Sequence, residues 1–335
     1  VELFGERQGQ DQRVEERRRL VFVVAMLMPK GLRTGLTRRG LLVAAGLAFA
    51  GPGRSSRSAA APRLTARGLP EAQPWMNLPD TPDLPAARRQ GHVELNGAPI
   101  FFSQFGDGPH VLMLHGGLAN SNYWGHQIRA LAPDFLVTVM DTRGHGRSAV
   151  TSDQFSYALF ARDAVALMKH LGITKTIVVG WSDGAITGIQ LALVRPDLVA
   201  GLFAFGANTT LQGLIGGGAR TRVFRQFSER CSREYRALSP HPEKWPTLTS
   251  GLSAMWRSQP TFTKAQLASI KIPVAVADGE HDEIIRAEHT RKIAADIPGA
   301  ELVIMEKVSH FALLQDPPGF NAHLLQFVLG IADDR

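Results

Sequence analysis

The constraint that most limits this chain is a set of small residues around one serine. Residues 176–179 are an Ile/Val-rich apolar run, Gly180-Trp181-Ser182-Asp183-Gly184 follows at once, and 184–194 reads as a small-residue helix closed by Arg195-Pro196. A strand that passes into a helix through G-x-S-x-G turns so tightly that the flanking positions tolerate little more than hydrogen. Such a turn pushes the Ser182 hydroxyl out at the carboxyl end of a sheet. It also sets the next backbone N–H at a helix N-terminus, where it can stabilise a developing oxyanion. A serine at a helix start can instead serve only as an N-cap. The glycine on each side of this one favours the nucleophile.

The surrounding pattern predicts what sheet this turn belongs to. Short apolar runs at 92–95, 99–105, 111–114, 135–140, 199–205, 273–277 and 302–305 suit strands buried on both faces of a parallel sheet. The first two flank Asn96-Gly97, a hairpin signal. Helical periodicity lies between the later runs, at 160–171, 184–194, 287–297 and 320–329. The expected fold is α/β, a doubly wound, mostly parallel sheet with helices on both faces. Residues 208–268 break the rhythm with Gly216-Gly217-Gly218, scattered arginines and helical-looking segments. An insertion of that length between two core strands is expected to carry its own helices and to cover something.

A serine hydroxyl is a poor nucleophile until a base takes its proton. Asp278-Gly279-Glu280-His281-Asp282-Glu283 follows the 273–277 strand, and Val308-Ser309-His310-Phe311 follows the last strand. Chain order is therefore serine, acid, histidine, the order of one fold and not of trypsin-like or subtilisin-like proteins. Asp282 competes for the acid role with Asp278, Glu280 and Glu283. His310 competes with His281, which sits inside the acid's own loop. The run 111–114 leads into His115-Gly116-Gly117-Leu118, a natural place for a second oxyanion donor. His115 and His145 are expected to hold loop backbone, and Asp141, Arg143 and Ser148 to be structural loop residues.

With these motifs in order, the chain resembles the α/β-hydrolase superfamily across about residues 90–332. Asp141-Thr142-Arg143-Gly144-His145-Gly146-Arg147-Ser148 resembles the family's D-x-R-G-x-G-x-S loop, and Gly279-Glu280-His281-Asp282 its G-x-x-D acid turn. The resemblance implies Ser182 as nucleophile, His310 as base then acid, and Asp282 as the orienting carboxylate. It implies an oxyanion hole from the N–H groups of Gly117 and Asp183, and a helical cap at 208–268. Gly-Trp-Ser-Asp-Gly and the later Gly206-Ala207-Asn208 most resemble biphenyl hydrolase-like proteins, which include amino-acid ester hydrolases. The implied chemistry is hydrolysis of a small carboxylic ester through an acyl-enzyme. Lactone hydrolysis, carbon–carbon bond hydrolysis and cofactor-free perhydrolysis use the same residues. A non-catalytic ligand receptor would also keep them.

Substrate-binding candidates are Asp183, Trp181, Trp245 and Trp256. Asp183 is open to two readings: a carboxylate that attracts a cationic substrate group, or a helix N-terminal acid held by the dipole or a salt bridge. Arg220, Arg222, Arg225, Arg230, Arg233 and Arg236 of the insertion either bind an anion or form an exposed helix face. The single Cys231 excludes an internal disulfide framework and Cys-based metal sites. With no H-E-x-x-H, P-loop or dinucleotide fingerprint, the expectation is no cofactor and no metal.

Charge separates address from activity. The net charge of +7 suggests nucleic acid until it is mapped. Residues 1–67 hold 13 Lys/Arg against 5 Asp/Glu, whereas 68–335 hold 24 against 25. No nucleic-acid partner is expected for the domain. Thr37-Arg38-Arg39-Gly40-Leu41-Leu42, the apolar 43–50 and Ala48-Phe49-Ala50 resemble a twin-arginine export signal with its cleavage site. Residues 41–50 would span about 15 Å as a helix, too short to cross a bilayer. Translation from Met26 or Met28 would make 1–25 an upstream over-annotation. The expected organisation is an export signal at 1–50, a Pro/Ala/Arg/Ser-rich linker at 51–90 and the hydrolase domain at 91–335. The export machinery is thus an expected partner and the periplasm or medium the expected location, with the cytoplasm as the alternative.

Overall fold

The computed structural model describes residues 73–332, all within the second of the chain's two compact units, Ala72–Arg335. The export-signal segment 1–50 and residues 51–72 of the expected linker lie outside the described residues.

The hairpin is β1 (Arg89–Leu95) and β2 (Ala98–Phe105), with Asn96 and Gly97 at φ 47° and 76°, as a tight primed turn requires. β3 (His110–Leu114), β4 (Leu136–Met140), β5 (Thr176–Trp181), β6 (Val199–Phe205), β7 (Val274–Gly279) and β8 (Glu301–Met305) complete an eight-stranded sheet. Its order is β1-β2-β4-β3-β5-β6-β7-β8. β2 joins β4 antiparallel, and every later pairing is parallel. The doubly wound, mostly parallel α/β sheet expected from the alternation is the fold observed.

α1 (Gly125–Leu131), α2 (Tyr157–His170) and α3 (Asp183–Val194) precede the cap. The cap holds α4 (Arg222–Leu238), α5 (Trp245–Trp256) and α6 (Lys264–Ser269); α7 (Ala287–Asp296), α8 (Ala312–Gln315) and α9 (Pro317–Ala332) follow it. Strand β6 shows how both sheet faces are covered. Leu202 meets Gly188 of α3, while Gly201 is filled by Ile331 and Phe327 of α9. Phe203, two residues along from Gly201, packs on Phe320 and Phe327. Alternate side chains thus serve opposite helical layers.

The insertion folds as helices, and α4 explains why it stays put. Val223, Phe227, Cys231 and Tyr235 recur every four residues and are all buried. Thr221 caps the helix by accepting from the Phe224 N–H. Phe227 reaches Trp181, Tyr123 and Phe311, so the cap rests on the carboxyl edge of the sheet. Arg220, Arg222, Arg225, Arg233 and Arg236 are exposed, the solvated-face reading of the two open in the sequence. Arg230 is half-buried and donates to the Leu78 and Pro79 carbonyls.

Those carbonyls belong to a segment expected to be linker. Residues 73–88 instead lie along the domain. Trp75 stacks on His281 at 3.9 Å, Gln315 donates to Asn77 O at 2.8 Å, and Thr81 donates to Glu234 of α4. Proline and alanine content suggested a spacer, but the segment's carbonyls and one tryptophan find partners on three separate elements. No helix among the described residues is long and apolar enough to cross a membrane.

Candidate active site

Ser182 sits between β5 and α3 at φ 55° and ψ −120°, a strained backbone for a residue with a side chain. The chain around it explains the flanking glycines. A Cβ on Gly180 would lie 2.5 Å from the Ala185 backbone, and one on Gly184 would lie 2.0 Å from Leu114 O. The turn is held by Ser182 N–H to Phe205 O at 2.8 Å and Ile186 N–H to Ser182 O at 3.0 Å. Ser182 remains partly exposed while its neighbours Trp181 and Asp183 are buried.

The loops after β7 and β8 are clamped together. His281 N–H donates to Val308 O at 2.9 Å and Glu280 N–H to Met305 O at 2.8 Å. Gly279 makes this approach possible, since a Cβ there would lie 2.6 Å from Ser309 O. The clamp brings His310 Nδ1 to 2.6 Å from Asp282 Oδ2, with both side chains buried. Asp282 Oδ1 accepts from the Ile284 and Ile285 N–H groups at 2.7 Å each. Trp181 Nε1–H donates to His310 O at 2.8 Å and ties the histidine loop to the residue before Ser182. Gly206, at φ 64°, leaves room for the imidazole: a Cβ there would meet His310 Cε1 at 2.8 Å. Burial pushes Asp282 up to about 7, against the pull of the neighbouring Asp278 hydrogen bond and the two amides. Burial also pushes His310 below its ordinary value, with Glu283, Asp278 and Asp183 pulling the other way.

The Gly117 loop is set by histidine, as expected for His115. Its Nδ1 donates to Gly116 O at 2.8 Å while Nε2 accepts from Thr142 N–H at 3.0 Å. These two bonds define the neutral tautomer, and burial pushes its pKa down. Asp141 accepts from the Ser121 and Arg147 N–H groups, Ser148 donates to Asp141 O, and buried Arg143 pairs with Asp163 at 2.7 Å. All three are loop-holding residues. Among the described residues, the Gly117 and Asp183 amides meet no backbone acceptor.

Asp183 resolves differently from either simple reading. Its carboxylate is buried, accepts from Tyr157 Oη at 2.8 Å, and accepts from Trp256 Nε1 at 2.9 and 3.1 Å. A Cβ on Gly117 would lie 2.5 Å from both Asp183 Oδ2 and Trp256 Cζ2, so this cluster borders the Gly117 amide. Burial raises Asp183 to about 6, opposed by the phenol and the indole. Neither a helix dipole alone nor a cap arginine is its partner. Tyr157 was not anticipated, because nothing local to α2 signals a partner on α3.

Of the other expected pocket residues, one is corrected. Trp181 is 1% exposed, packed among Tyr123, Phe227 and Phe311, and holds His310 rather than lining open space. Trp245 packs on Tyr235 at 5.4 Å within the cap. Trp256 alone of the three tryptophans meets the Ser182 turn through Asp183.

A protein-family model described as alpha/beta hydrolase fold matches residues 109–217, which run from β3 through the Ser182 turn into the cap. Over that span the chain matches the α/β-hydrolase family, and its eight-stranded sheet has the α/β-hydrolase fold. The α/β-hydrolase is 29% identical over 246 residues to serine hydrolase BPHL of Homo sapiens, covering 68% of this chain and 82% of that one. It is 27% identical over 262 residues to RutD of Caulobacter vibrioides, named for carbamate hydrolysis, covering 71% and 95%. Among solved structures it is similar to Est816, described as an N-acyl homoserine lactone degrading enzyme. That match has TM-score 0.57 and 28% identity, over 71% of this chain and all of the other. A hydrolase from Pseudomonas aeruginosa shares the fold at TM-score 0.60 and 23% identity, over 72% and 99% of the two chains. The α/β-hydrolase is an enzyme of the hydrolase class.

Proposed function

We propose that this hydrolase cleaves a small, uncharged carboxylic ester through an acyl-enzyme on Ser182. The observation that carries the reading is the buried 2.6 Å bond between His310 and Asp282, joined through Trp181 to the strained serine turn. With Nδ1–H committed to Asp282, His310 has Nε2 as its basic nitrogen. His310 takes the Ser182 proton as the hydroxyl oxygen attacks the ester carbonyl. The Gly117 and Asp183 N–H groups receive the oxyanion. The tetrahedral intermediate collapses, His310 gives its proton to the departing alcohol, and the acyl group stays on Ser182. Water then attacks with His310 again as base, and the acid leaves.

An uncharged substrate is favoured over an amino-acid ester because Asp183 is already engaged. A substrate ammonium would compete with the Trp256 indole and the Tyr157 phenol for one buried carboxylate. Lactones are a second reading, supported by the likeness to Est816. Ring opening follows the same steps, with the alcohol remaining attached to the acyl group. The test is initial rates on neutral, cationic and anionic p-nitrophenyl esters of matched chain length and on an acyl homoserine lactone. The highest kcat/KM is expected on a neutral short-chain ester. A preference for the cationic ester that disappears in Asp183→Asn would overturn the uncharged-substrate reading.

We also infer that residues 1–50 direct export by a twin-arginine route. Arg38→Lys with Arg39→Lys is expected to hold the protein in the cytoplasm, and unchanged export would contradict this.

A further inference from the structure

The loops that carry Asp282 and His310 follow the last two strands, at one end of the sheet. β8 is the final strand in the sheet order, so the histidine loop has a strand neighbour on one side only. One backbone bond, His281 N–H to Val308 O, joins the two loops next to the pair. The 2.6 Å bond between His310 and Asp282 leaves little tolerance for drift. The segment before β1 supplies further contacts to both loops.

Its local structure starts from a proline. Pro74 opens a single 3-10 turn, Pro74–Met76, in which the Asn77 N–H donates to Pro74 O at 3.1 Å. The turn presents the Trp75 indole to the His281 imidazole, stacked at 3.9 Å between centroids with 19° between planes. His281 is the residue before Asp282. Gln315, the last residue of α8, joins the same turn to the histidine loop. Its Oε1 accepts from the N–H of Ser309, the residue before His310, at 2.7 Å. Its Nε2 faces Asn77 O at 2.8 Å, Ser309 Oγ at 3.0 Å and Trp75 O at 3.3 Å, so its two hydrogens serve three acceptors. Beyond the turn the chain forms no helix or strand until Arg89. Arg230 of α4 donates to Leu78 O at 2.9 Å and to Pro79 O. Thr81 donates to Glu234, whose other oxygen accepts from Asn120 at 3.1 Å, in the loop that holds Gly117. The stretch 75–81 thus bears on the acid loop, the histidine loop, the cap and, through Glu234, the Gly117 loop.

We propose that residues 75–81 are a strap that positions the acid and histidine loops for the Asp282–His310 bond, with Trp75 and Gln315 as its positioning residues. Each acts through the sequence neighbour of one member of the pair, Trp75 through His281 and Gln315 through Ser309. Without these contacts the loops keep their backbone clamp but gain freedom, and the imidazole spends less time in line with the Ser182 hydroxyl. The loss falls on kcat and not on KM, because the loops bear on proton transfer. The effect on turnover rests on the acyl-enzyme reading above, whereas the effect on loop motion does not.

The test therefore begins without substrate. Hydrogen exchange of the full chain is followed by mass spectrometry in wild type and Trp75→Ala. Peptides covering 280–285 and 306–311 are expected to exchange about fivefold faster in the variant, while the peptide covering β5 keeps its wild-type rate. Unchanged exchange in both loops would overturn the proposal. An equal increase in β5 would also overturn it, since that marks general destabilisation. In ester turnover Trp75→Ala should lower kcat about fivefold and Gln315→Ala about tenfold, with KM nearly constant. Trp75→Phe keeps a ring for the stack and should bring kcat back to within about twofold of wild type. Unaltered kcat in a folded Trp75→Ala protein would refute the positioning role, and this variant decides alone if Gln315→Ala does not fold. A wild type that turns over no ester would count against the acyl-enzyme reading only, and the exchange rates would still decide the strap.

Discussion

The loops at the carboxyl ends of β5, β6, β7 and β8 and the helical cap approach the same serine by different physics. The loops are held by backbone hydrogen bonds and by glycines at close approaches. Gly180, Gly184, Gly206 and Gly279 each stand where a Cβ would strike backbone or imidazole. The cap is held by side-chain packing of α4 and by the Trp256 indole on Asp183. Each side also buries a carboxylate near His310. Asp282 faces an imidazole and two amides, and Asp183 faces a phenol and an indole. The difference teaches which groups should be intolerant of change and which should only tune the enzyme. Backbone-locked parts have no alternative geometry, whereas a packed cap can shift or repack.

The largest effects should fall on the loops. Ser182→Ala is expected to lower kcat by about 10⁴-fold or more with the fold intact, as measured by ester turnover beside circular dichroism. Gly206→Ala should follow. Its Cβ would reach the imidazole at 2.8 Å on a backbone with φ of 64°, so a loss on the order of 10²-fold in kcat is expected from a displaced base. Retention of full activity would mean that the imidazole is free to move, against the account of a locked edge.

pH dependence sharpens the comparison next. Protonated His310 cannot take the serine proton, so activity is lost as pH falls through its pKa. Burial lowers that pKa below 6.5, so the acid limb of kcat/KM should be centred below 6.5. A limb above 6.5 would show that the surrounding carboxylates outweigh burial.

Changes on the cap side should be smaller. Trp256→Phe removes the indole donor from Asp183 while keeping an aromatic ring, and is expected to change KM by a few-fold with kcat nearly kept. A loss as large as that of Gly206→Ala would erase the distinction between the two regions. The smallest effect concerns stability. The folded pKa of Asp183, about 6, exceeds its ordinary value of 3.8, so burying its charge costs stability above pH 6 and costs nothing below 3.8. Asp183→Asn should therefore raise Tm relative to the parent more at pH 8 than at pH 4, and a reversed order would mean that the phenol and indole outweigh burial.

The same contrast governs what could be read in advance. The sheet, the serine turn and the two following loops were legible because their geometry is dictated locally, by glycines at fixed offsets and by apolar runs that end in polar loops. The Asn96-Gly97 hairpin and the loop-holding roles of His115, Arg143 and Ser148 belong to the same group. Tyr157 and Trp256 on Asp183 were not legible, because they join residues 26 and 73 positions apart through packing of helices. Trp181 misled for a related reason. Its position beside the nucleophile suggested a pocket wall, but strand alternation turns it into the core. Residues 73–88 read as spacer since their partners, His281, Gln315 and α4, lie far along the chain.

The central claim is that Ser182 is the activated nucleophile of a hydrolase. It is tested most directly by intact-mass measurement after treatment with a fluorophosphonate at pH 8. The wild-type protein should gain one phosphonyl group, mapped to the peptide containing Gly180–Gly184, and Ser182→Ala should gain none. A folded wild-type protein that stays unlabelled, or an alanine variant that labels as fast as wild type, would contradict the account.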